Sequence, residues 1–204
     1  MAVDSASVQL RIFRQQEIIY DVDDDFLGAG VFSEVYRCRL TNSSEVAVVK
    51  VFDPPHESEE AVLREADVLQ RLTDCPYIVR GLGLCVDLGH NAIVMEYVEY
   101  GDLENMLLFG VDKHPVINQW NCRVRMALEI AKGMDYLHSL EPPIIHRDLK
   151  TASVLLLTLY ITNYGLASVR DISSVFSGTV AFTAPEVFTN RVEERKEMKV
   201  DVYS

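Results

Sequence analysis

The sequence has few cysteines, and none of them stands in a metal-binding pattern. No CxxC pair occurs, so a zinc site is not expected. Scattered cysteines in a chain of 204 residues are typical of reduced, partly buried thiols in an intracellular protein. The sequence therefore favours a cytoplasmic location and predicts free thiols at all four positions, Cys38, Cys75, Cys85 and Cys122.

Long apolar runs and an excess of basic residues are also missing. The most apolar stretch, VLLLTLYI at 154–161, is too short to span a bilayer. The first ten residues, MAVDSASVQL, show no basic region followed by an apolar one, so no signal peptide is expected. With 19 Lys and Arg against 31 Asp and Glu, the net charge is −12, which argues against a general nucleic-acid or anionic-membrane binder.

Strand-type patterns dominate residues 17–53. The runs EIIYDV, FLGAGVFSEVYRCRL and EVAVVKVF are rich in Val, Phe and Tyr and are separated by Gly or by the turn-type cluster TNSS. A helix is predicted over ESEEAVLREADVLQRL, where apolar residues recur near helical spacing at Val62, Leu63, Ala66, Leu69 and Leu72. Two further strand candidates follow, IVRGLGLCV and NAIVMEYV.

Helical patterns take over after Tyr100-Gly101-Asp102. They cover DLENMLLFG and then NQWNCRVRMALEIAKGMDYLHSL, where one apolar stripe is predicted through Val124, Leu128, Ala131, Tyr136 and Leu137. This order predicts an α+β fold with two lobes. Residues 1–24 form an extension that leads into the first strand, 25–97 an antiparallel sheet with one main helix, and 98–204 a mostly helical lobe.

A glycine-rich turn, LGAGVFSEVY at 27–36, lies between two strand candidates. Gly28 and Gly30 would let the backbone approach a phosphate, because no Cβ stands in the way. Such a turn is more often only a hairpin. It leads into a strand and not a helix, so the Rossmann interpretation fails.

Several motifs follow this turn in a fixed order. They are Lys50 at the end of VAVVK, Glu65 in the acid-rich helix, HRDLK at 146–150, ITNYG at 161–165 and TAPE at 183–186. Together they resemble the protein kinase family over nearly the whole chain, from about residue 27 to residue 204. The resemblance implies the two-lobed kinase fold and ATP as ligand.

The resemblance extends to the type of kinase. HRDLK with its lysine, and GTVAFTAPE with Thr179 near its start, are similar to Ser/Thr-type sequences. The segment LREADVLQRLTDCPYIVRGLGLC is closer to tyrosine kinases and their relatives. The mixture is typical of the tyrosine-kinase-like group, with Ser/Thr specificity if the chain is active.

The resemblance also assigns a role to each matching residue. Glycines 28 and 30 would lie over the phosphates, Lys50 would contact them and pair with Glu65, and Met95 would be the gatekeeper before a hinge at Glu96 to Val98. The implied nucleotide-binding positions are Leu27, Gly28, Gly30, Val35, Val48, Lys50, Glu65, Met95, Glu96 and Val98. Asp148 would accept the proton of the substrate hydroxyl, and Lys150 would steady the transferred phosphoryl group.

Two departures from the family pattern affect the positions that hold magnesium. The asparagine of the HRDLxxxN spacing is replaced by Ser153, and the aspartate of the DFG motif by Asn163. Magnesium prefers charged carboxylate oxygen, whereas both replacements are neutral, so Mg²⁺ binding is doubtful. Between them, VLLLTLYITN must form two antiparallel strands without Gly, Asp or Asn at a turn position. Ser33, Val48 and Tyr164 are milder departures.

We therefore expect a catalytically impaired kinase, a pseudokinase, that binds ATP weakly and acts in intracellular signalling through protein partners. The intact Lys50, Glu65, Asp148 and Lys150 favour an alternative, an active ATP-dependent Ser/Thr kinase that phosphorylates protein hydroxyls. DVYS at 201–204 resembles the start of the central helix of the second lobe, where Asp201 would brace the HRD backbone. The lobe is thus expected to be truncated there, and a third interpretation is a non-catalytic binding module that competes with a full-length kinase.

Overall fold

The computed structural model describes most of the chain and divides it into two compact units. The described residues are 10–30, 33–41, 43, 45–53, 59–72, 75–87, 90–110, 112, 114–156, 159–161, 168–169, 179–188 and 198–203. The N-terminal unit comprises Met1–Thr73 and Arg80–Tyr97, and the C-terminal unit comprises Asp74–Val79 and Val98–Ser204.

The N-terminal unit is a sheet with one helix. Its elements are β1 (Arg11–Phe13), a 3-10 helix (Gln15–Glu17), β2 (Ile18–Ile19), β3 (Phe26–Ala29), β4 (Ser33–Leu40), β5 (Val46–Phe52), α1 (Glu59–Arg71), β6 (Gly81–Asp87) and β7 (His90–Glu96). The strand order is β1-β6-β7-β5-β4-β2, and β3 pairs with β4. The predicted strands, helix and α+β class are therefore present.

One pairing departs from the predicted antiparallel sheet. β1 runs parallel to β6, with Arg11 opposite Gly83 and Phe13 opposite Cys85, whereas every other pair of described strands in this sheet is antiparallel. The sheet is therefore mixed. A three-residue strand leaves no periodic signal in the sequence, so neither its presence nor its direction was predicted.

Alternation along the strands creates the core of this unit. On β4, Tyr36, Cys38 and Leu40 are buried, while the residues between them are exposed. The apolar cluster consists of Phe13, Ile18, Tyr36, Cys38, Leu40, Ala47, Val49, Cys85, Ala92 and Val94. Burial raises the pKa of the Cys38 thiol to about 12, as is expected of an inert core thiol.

The helix α1 buries the face that its spacing predicts, with one exception. Val62, Ala66, Leu69 and Leu72 are each at most 3% exposed, but Leu63 is 45% exposed. Glu65 is 6% exposed on the same helix. A carboxylate buried to this degree needs a partner, because an isolated buried charge is costly.

The C-terminal unit contains short strands and helices around one long helix. Its elements are α2 (Leu103–Asn105) continued by a π-helix (Met106–Gly110), a 3-10 helix (Pro115–Asn118), α3 (Trp120–Ser139), β8 (Ile144–Ile145), a 3-10 helix (Thr151–Ser153), β9 (Val154–Leu156), β10 (Leu159–Ile161), β11 (Ser168–Val169), a 3-10 helix (Val180–Phe182), α4 (Pro185–Phe188) and α5 (Met198–Tyr203). The predicted hairpin is present, since β9 and β10 pair antiparallel with Leu156 opposite Leu159.

The predicted apolar stripe of α3 is confirmed at its C-terminal end, where Leu137 is 0% exposed and Tyr136 is half-buried, and is wrong at its first three positions. Val124 and Leu128 are 49% and 53% exposed, and Ala131 is exposed as well. The face of α3 that packs inward carries Met126 and Ile130, which contact the cluster of Leu103, Met106, Ile117, Val154 and Leu156. The sequence holds two stripes at helical spacing, and spacing alone does not decide which one is buried.

The described helices include none that is long and apolar enough to cross a membrane.

Candidate functional site

A buried ion pair stands at the centre of the N-terminal unit. Lys50 Nζ lies 2.8 Å from both carboxylate oxygens of Glu65, and the two side chains are 12% and 6% exposed. The ammonium group also lies 4.8 Å from the centre of the Phe52 ring. β5 fixes the lysine and α1 fixes the glutamate. Loss of either partner would leave the other charge buried, at a typical cost of about 3–5 kcal/mol.

Three predicted positions lie side by side on adjacent strands. Gly28 on β3 stands opposite Val35 on β4, and Val35 stands opposite Lys50 on β5. Val48 and Met95 are likewise direct strand partners, on β5 and β7, and each is 9% exposed. The strand register alone therefore brings five of the predicted nucleotide positions into two short rows.

The two glycines of the turn differ in what a side chain would meet at each position. The Gly30 N–H donates to the Ser33 carbonyl at 2.7 Å, and a Cβ on Gly30 would lie 2.9 Å from Ser33 Oγ. A Cβ on Gly28 would meet nothing within 4 Å. The Ser33 side chain would have to move for a Cβ at position 30, whereas a Cβ at position 28 has no neighbour to displace. Leu27 beside it is 49% exposed.

The two hinge positions are held by different contacts. Glu96 belongs to the N-terminal unit, where its N–H donates to the Arg80 carbonyl at 3.1 Å and its carboxylate accepts from the Arg80 N–H at 2.8 Å. Val98 belongs to the C-terminal unit and is 5% exposed. Its carbonyl accepts from the N–H of Gly101, whose φ of +67° favours glycine.

In the C-terminal unit, Asp148, Lys150 and Thr179 form one polar cluster. Thr179 donates to Asp148 Oδ1 from its N–H at 2.9 Å and from its hydroxyl at 2.7 Å. Lys150 Nζ donates to the same hydroxyl at 2.7 Å and lies 3.0 Å from Asp148 Oδ2. This arrangement fixes a carboxylate next to a cation. Such a pair can accept a proton and stabilise a negative charge nearby.

The backbone around Thr179 is itself fixed. Its carbonyl accepts from the Phe182 N–H and from the Thr183 hydroxyl, both at 2.9 Å, at the start of a 3-10 helix. Thr179 was predicted only as a sign of Ser/Thr specificity. Its contact with both catalytic candidates was missed, because a gap of 29 to 31 positions gives no local pattern.

Asp201 fixes the backbone that precedes Asp148, as its position in DVYS suggests. Its carboxylate accepts from the His146 N–H at 2.8 Å and from the Arg147 N–H at 2.7 Å. His138 Nε2 lies 2.9 Å from the same carboxylate. Arg147 has a φ of 66°, in a region that a non-glycine residue adopts at a cost. Sequence reasoning missed His138, which carries no motif.

Ser153 stands at the first of the two degenerate metal positions and is fully buried. It is 0% exposed, its hydroxyl donates to the Asp148 carbonyl at 2.8 Å, and its N–H donates to the Lys150 carbonyl at 2.8 Å. The described residues contain no group of three or more His, Cys, Asp or Glu side chains that could hold a metal ion. The second position, Asn163, lies outside the described residues.

Comparison with known proteins agrees with this geometry. The family model "protein kinase domain" matches residues 22–204. U-box domain-containing protein 34 of Arabidopsis thaliana is 35% identical over 174 residues, which are 78% of this chain and 21% of that protein. Calcium/calmodulin-regulated receptor-like kinase 2 of the same plant is 35% identical over 187 residues, with coverages of 87% and 41%.

A more distant organism has a similar relative. The probable serine/threonine-protein kinase drkD of Dictyostelium discoideum is 34% identical over 185 residues, which are 87% of this chain and 14% of that protein. The chain thus spans less than half the length of these curated relatives. The Dictyostelium relative and the probable LRR receptor-like kinase At1g67720 of Arabidopsis thaliana are named as serine/threonine-protein kinases, in line with the expected type. The chain belongs to the protein kinase domain family.

Proposed function

We propose that this protein is a catalytically impaired kinase, which binds ATP weakly and acts in signalling through protein partners. Protein kinase domains in general use ATP and Mg²⁺. In this chain, the residues at the nucleotide-binding positions suit ATP better than the residues at the metal-binding positions suit Mg²⁺. The proposal rests on that difference.

The observation that carries the proposal is the state of Ser153. A magnesium ligand must direct a lone pair at the ion, and the ion prefers carboxylate or carbonyl oxygen at near-octahedral positions. The Ser153 hydroxyl is enclosed and its proton is directed at the Asp148 carbonyl. This residue holds the backbone of the catalytic loop, and as a neutral, fully buried hydroxyl it is a poorer magnesium ligand than a carboxylate or an amide carbonyl. At the second position, Asn163 is a neutral residue in place of the family's aspartate.

The nucleotide positions fit better. The Lys50–Glu65 pair keeps an ammonium group in a fixed place, where it can bind phosphate oxygens. Gly28 leaves open space above the backbone, as close approach of a phosphate would require. Val48 adds two methyl carbons to the alanine common in the family, which crowds the adenine without excluding it. Affinity should therefore be present but low.

Titration of the chain with ATP, with Mg²⁺ or with a chelator, tests the proposal. Calorimetry should detect weak binding, and magnesium should raise the affinity less than about tenfold, which corresponds to about 1.4 kcal/mol. Lys50→Met removes the phosphate contact and is the control for specific binding, provided that its unfolding midpoint shows it still folded, because it also leaves Glu65 unpaired. A larger gain with magnesium would contradict the proposal, since such a gain requires a competent metal site.

A second candidate function is favoured by the polar cluster. Asp148, Lys150 and Thr179 keep mutual distances of 2.7–3.0 Å, as an active Ser/Thr kinase would need for proton acceptance and charge stabilisation. Phosphate transfer to a generic Ser/Thr substrate, with Asp148→Asn as the blank, separates the two candidates. Phosphate transfer well above the blank would contradict the impaired-kinase proposal and favour the active kinase.

A further inference from the structure

Residues 10–20, called the strap here, precede the residues that match the family domain and yet cap both edges of its sheet. β1 pairs with β6 at one edge, and β2 pairs with β4 at the other. Four residues lie between β1 and β2, so the strap bridges at most about 18 Å. Two hydrogen bonds join the strap to the rest of the unit. The Gln15 N–H donates to Asp87 Oδ2 at 2.5 Å, and the Glu17 carbonyl accepts from the Thr41 N–H at 3.0 Å.

Gly83 on β6 is the position on which β1 rests. A Cβ at this position would overlap the Arg11 carbonyl oxygen and would lie 2.5 Å from the ring of Phe13. Backbone atoms cannot yield as a flexible side chain can. A single methyl group at position 83 should therefore push β1 off the sheet. The three atoms nearest to that Cβ all belong to the strap, so the strap gives glycine at this position a packing reason.

Gly81 connects the strap with the helix that carries Glu65. A Cβ on Gly81 would lie 3.2 Å from Leu10 Cδ2 and 3.2 Å from Leu69 Cβ. Leu69 is 1% exposed and follows Glu65 by four residues, so both lie on one face of α1. The Leu10 and Leu69 side chains therefore both lie next to the space that a side chain at position 81 would occupy, on the strand β6 that α1 contacts.

We propose that Leu10, Gly81 and Gly83 are positioning residues for the Lys50–Glu65 ion pair. The strap fills the space beside Leu69 and thereby holds the turn of α1 from which Glu65 reaches Lys50. Its effect on ATP binding rests on the proposed function, whereas its effect on the ion pair does not. A segment outside the matched domain thus sets the state of a residue inside it.

The acylation rate of Lys50 in the native chain measures the ion pair directly. A paired and largely buried amine reacts slowly, and each opening event exposes it. Relative to the exposed Lys199, labelling of Lys50 should rise about tenfold in Gly83→Ala, if the open population rises by the same factor. Leu10→Ala should raise it in the same direction. Mass spectrometry of short reactions with an acylating reagent supplies both rates.

Two matched variants control for general weakening of the strap and of β6. Ile12→Ala shortens a side chain of β1 that is 65% exposed, and Val86→Ala does so on β6 at 39% exposure. Both should leave the labelling ratio unchanged. A ratio that moves no further in Gly83→Ala and Leu10→Ala than in these controls would overturn the proposal, even if the unfolding midpoint falls. Should Gly83→Ala fail to fold, Leu10→Ala decides alone.

ATP titration of the same variants separates this proposal from the proposed function. If the ratio shifts and ATP affinity falls by a similar factor, both stand. If the ratio shifts but the unmodified chain does not bind ATP, the proposed function fails and the positioning role remains. If ATP binds normally and the ratio does not shift, the positioning role fails alone.

Discussion

Replacement of Asp201 by asparagine should destabilise the C-terminal unit strongly, although the change is isosteric. The carboxylate of Asp201 is enclosed, with its side chain 0% exposed. It accepts from three donors, the N–H groups of His146 and Arg147 and the ring of His138. An amide has one acceptor oxygen and one donor nitrogen. In either orientation, the amide nitrogen of the Asp201→Asn variant would face one or two N–H donors.

The size of the effect follows from these contacts. A hydrogen bond to a charged group contributes about 1.5–3 kcal/mol, and a buried donor without a partner costs about 1–3 kcal/mol. With at least one of each, Asp201→Asn should cost about 3–5 kcal/mol, which is the usual range for a broken buried charge contact. Small domains have about 5–15 kcal/mol in total. Arg147, with its φ of 66°, should lose its conformation first.

Urea unfolding followed by circular dichroism, together with hydrogen exchange of the His146 and Arg147 amides, measures this loss. Asp135→Asn is the matched control, because it makes the same change of charge at an exposed position of α3. The control should stay within about 0.5 kcal/mol of the unmodified chain. A cost below about 1 kcal/mol for Asp201→Asn, with both amides still protected, would refute the reasoning.

Three further predictions concern single side chains. Gly28→Ala should leave the unfolding midpoint unchanged, because its Cβ meets no atom within 4 Å, but should weaken binding in an ATP titration; a fall in stability would contradict this. Thr179→Ala should lower any phosphate transfer roughly tenfold or more, whereas Thr179→Ser should keep it. Equal rates in the two variants would show that the Thr179 hydroxyl does not contribute to phosphate transfer. Iodoacetamide at about pH 8 should label the partly exposed Cys122 well before Cys38, whose pKa is raised to about 12 by burial, as a mass-spectrometric time course can show.

The strands and helix of the N-terminal unit were predictable because local pattern and burial agree there. On β4, alternation fixes which side chains face the core, and this also fixes the register with β5. Lys50 on the apolar strand β5 and Glu65 on the buried side of α1 then pair, as expected. The short β1 gave no such signal. The sequence signal for β1 is the glycine at position 83 in RGLGLCV, because any side chain there would collide with the backbone of β1.

The long helix shows where periodicity alone fails. Trp120, Val124 and Leu128 repeat every four residues, as Met126 and Ile130 do. The first three are 49–76% exposed, whereas the other two pack against the apolar cluster. The choice depends on which surface the rest of the unit presents, and this is tertiary information that a window of the sequence does not contain.

The Ser153 hydroxyl supports the architecture of the catalytic loop, whereas the proposed loss of chemistry concerns the metal ligand that the family has at this position. The loop needs a buried donor for the Asp148 carbonyl, because an unpaired carbonyl there would cost about 1–3 kcal/mol. The serine hydroxyl supplies that donor at 2.8 Å. A magnesium ligand would need an acceptor oxygen accessible to the ion, and the Ser153 side chain is 0% exposed, which is the reason for the proposed loss of the metal site. The contacts that hold Asp148, Lys150 and Thr179 in place involve no metal ligand, so this ordered cluster is expected whether the chain is the proposed impaired kinase or an active one.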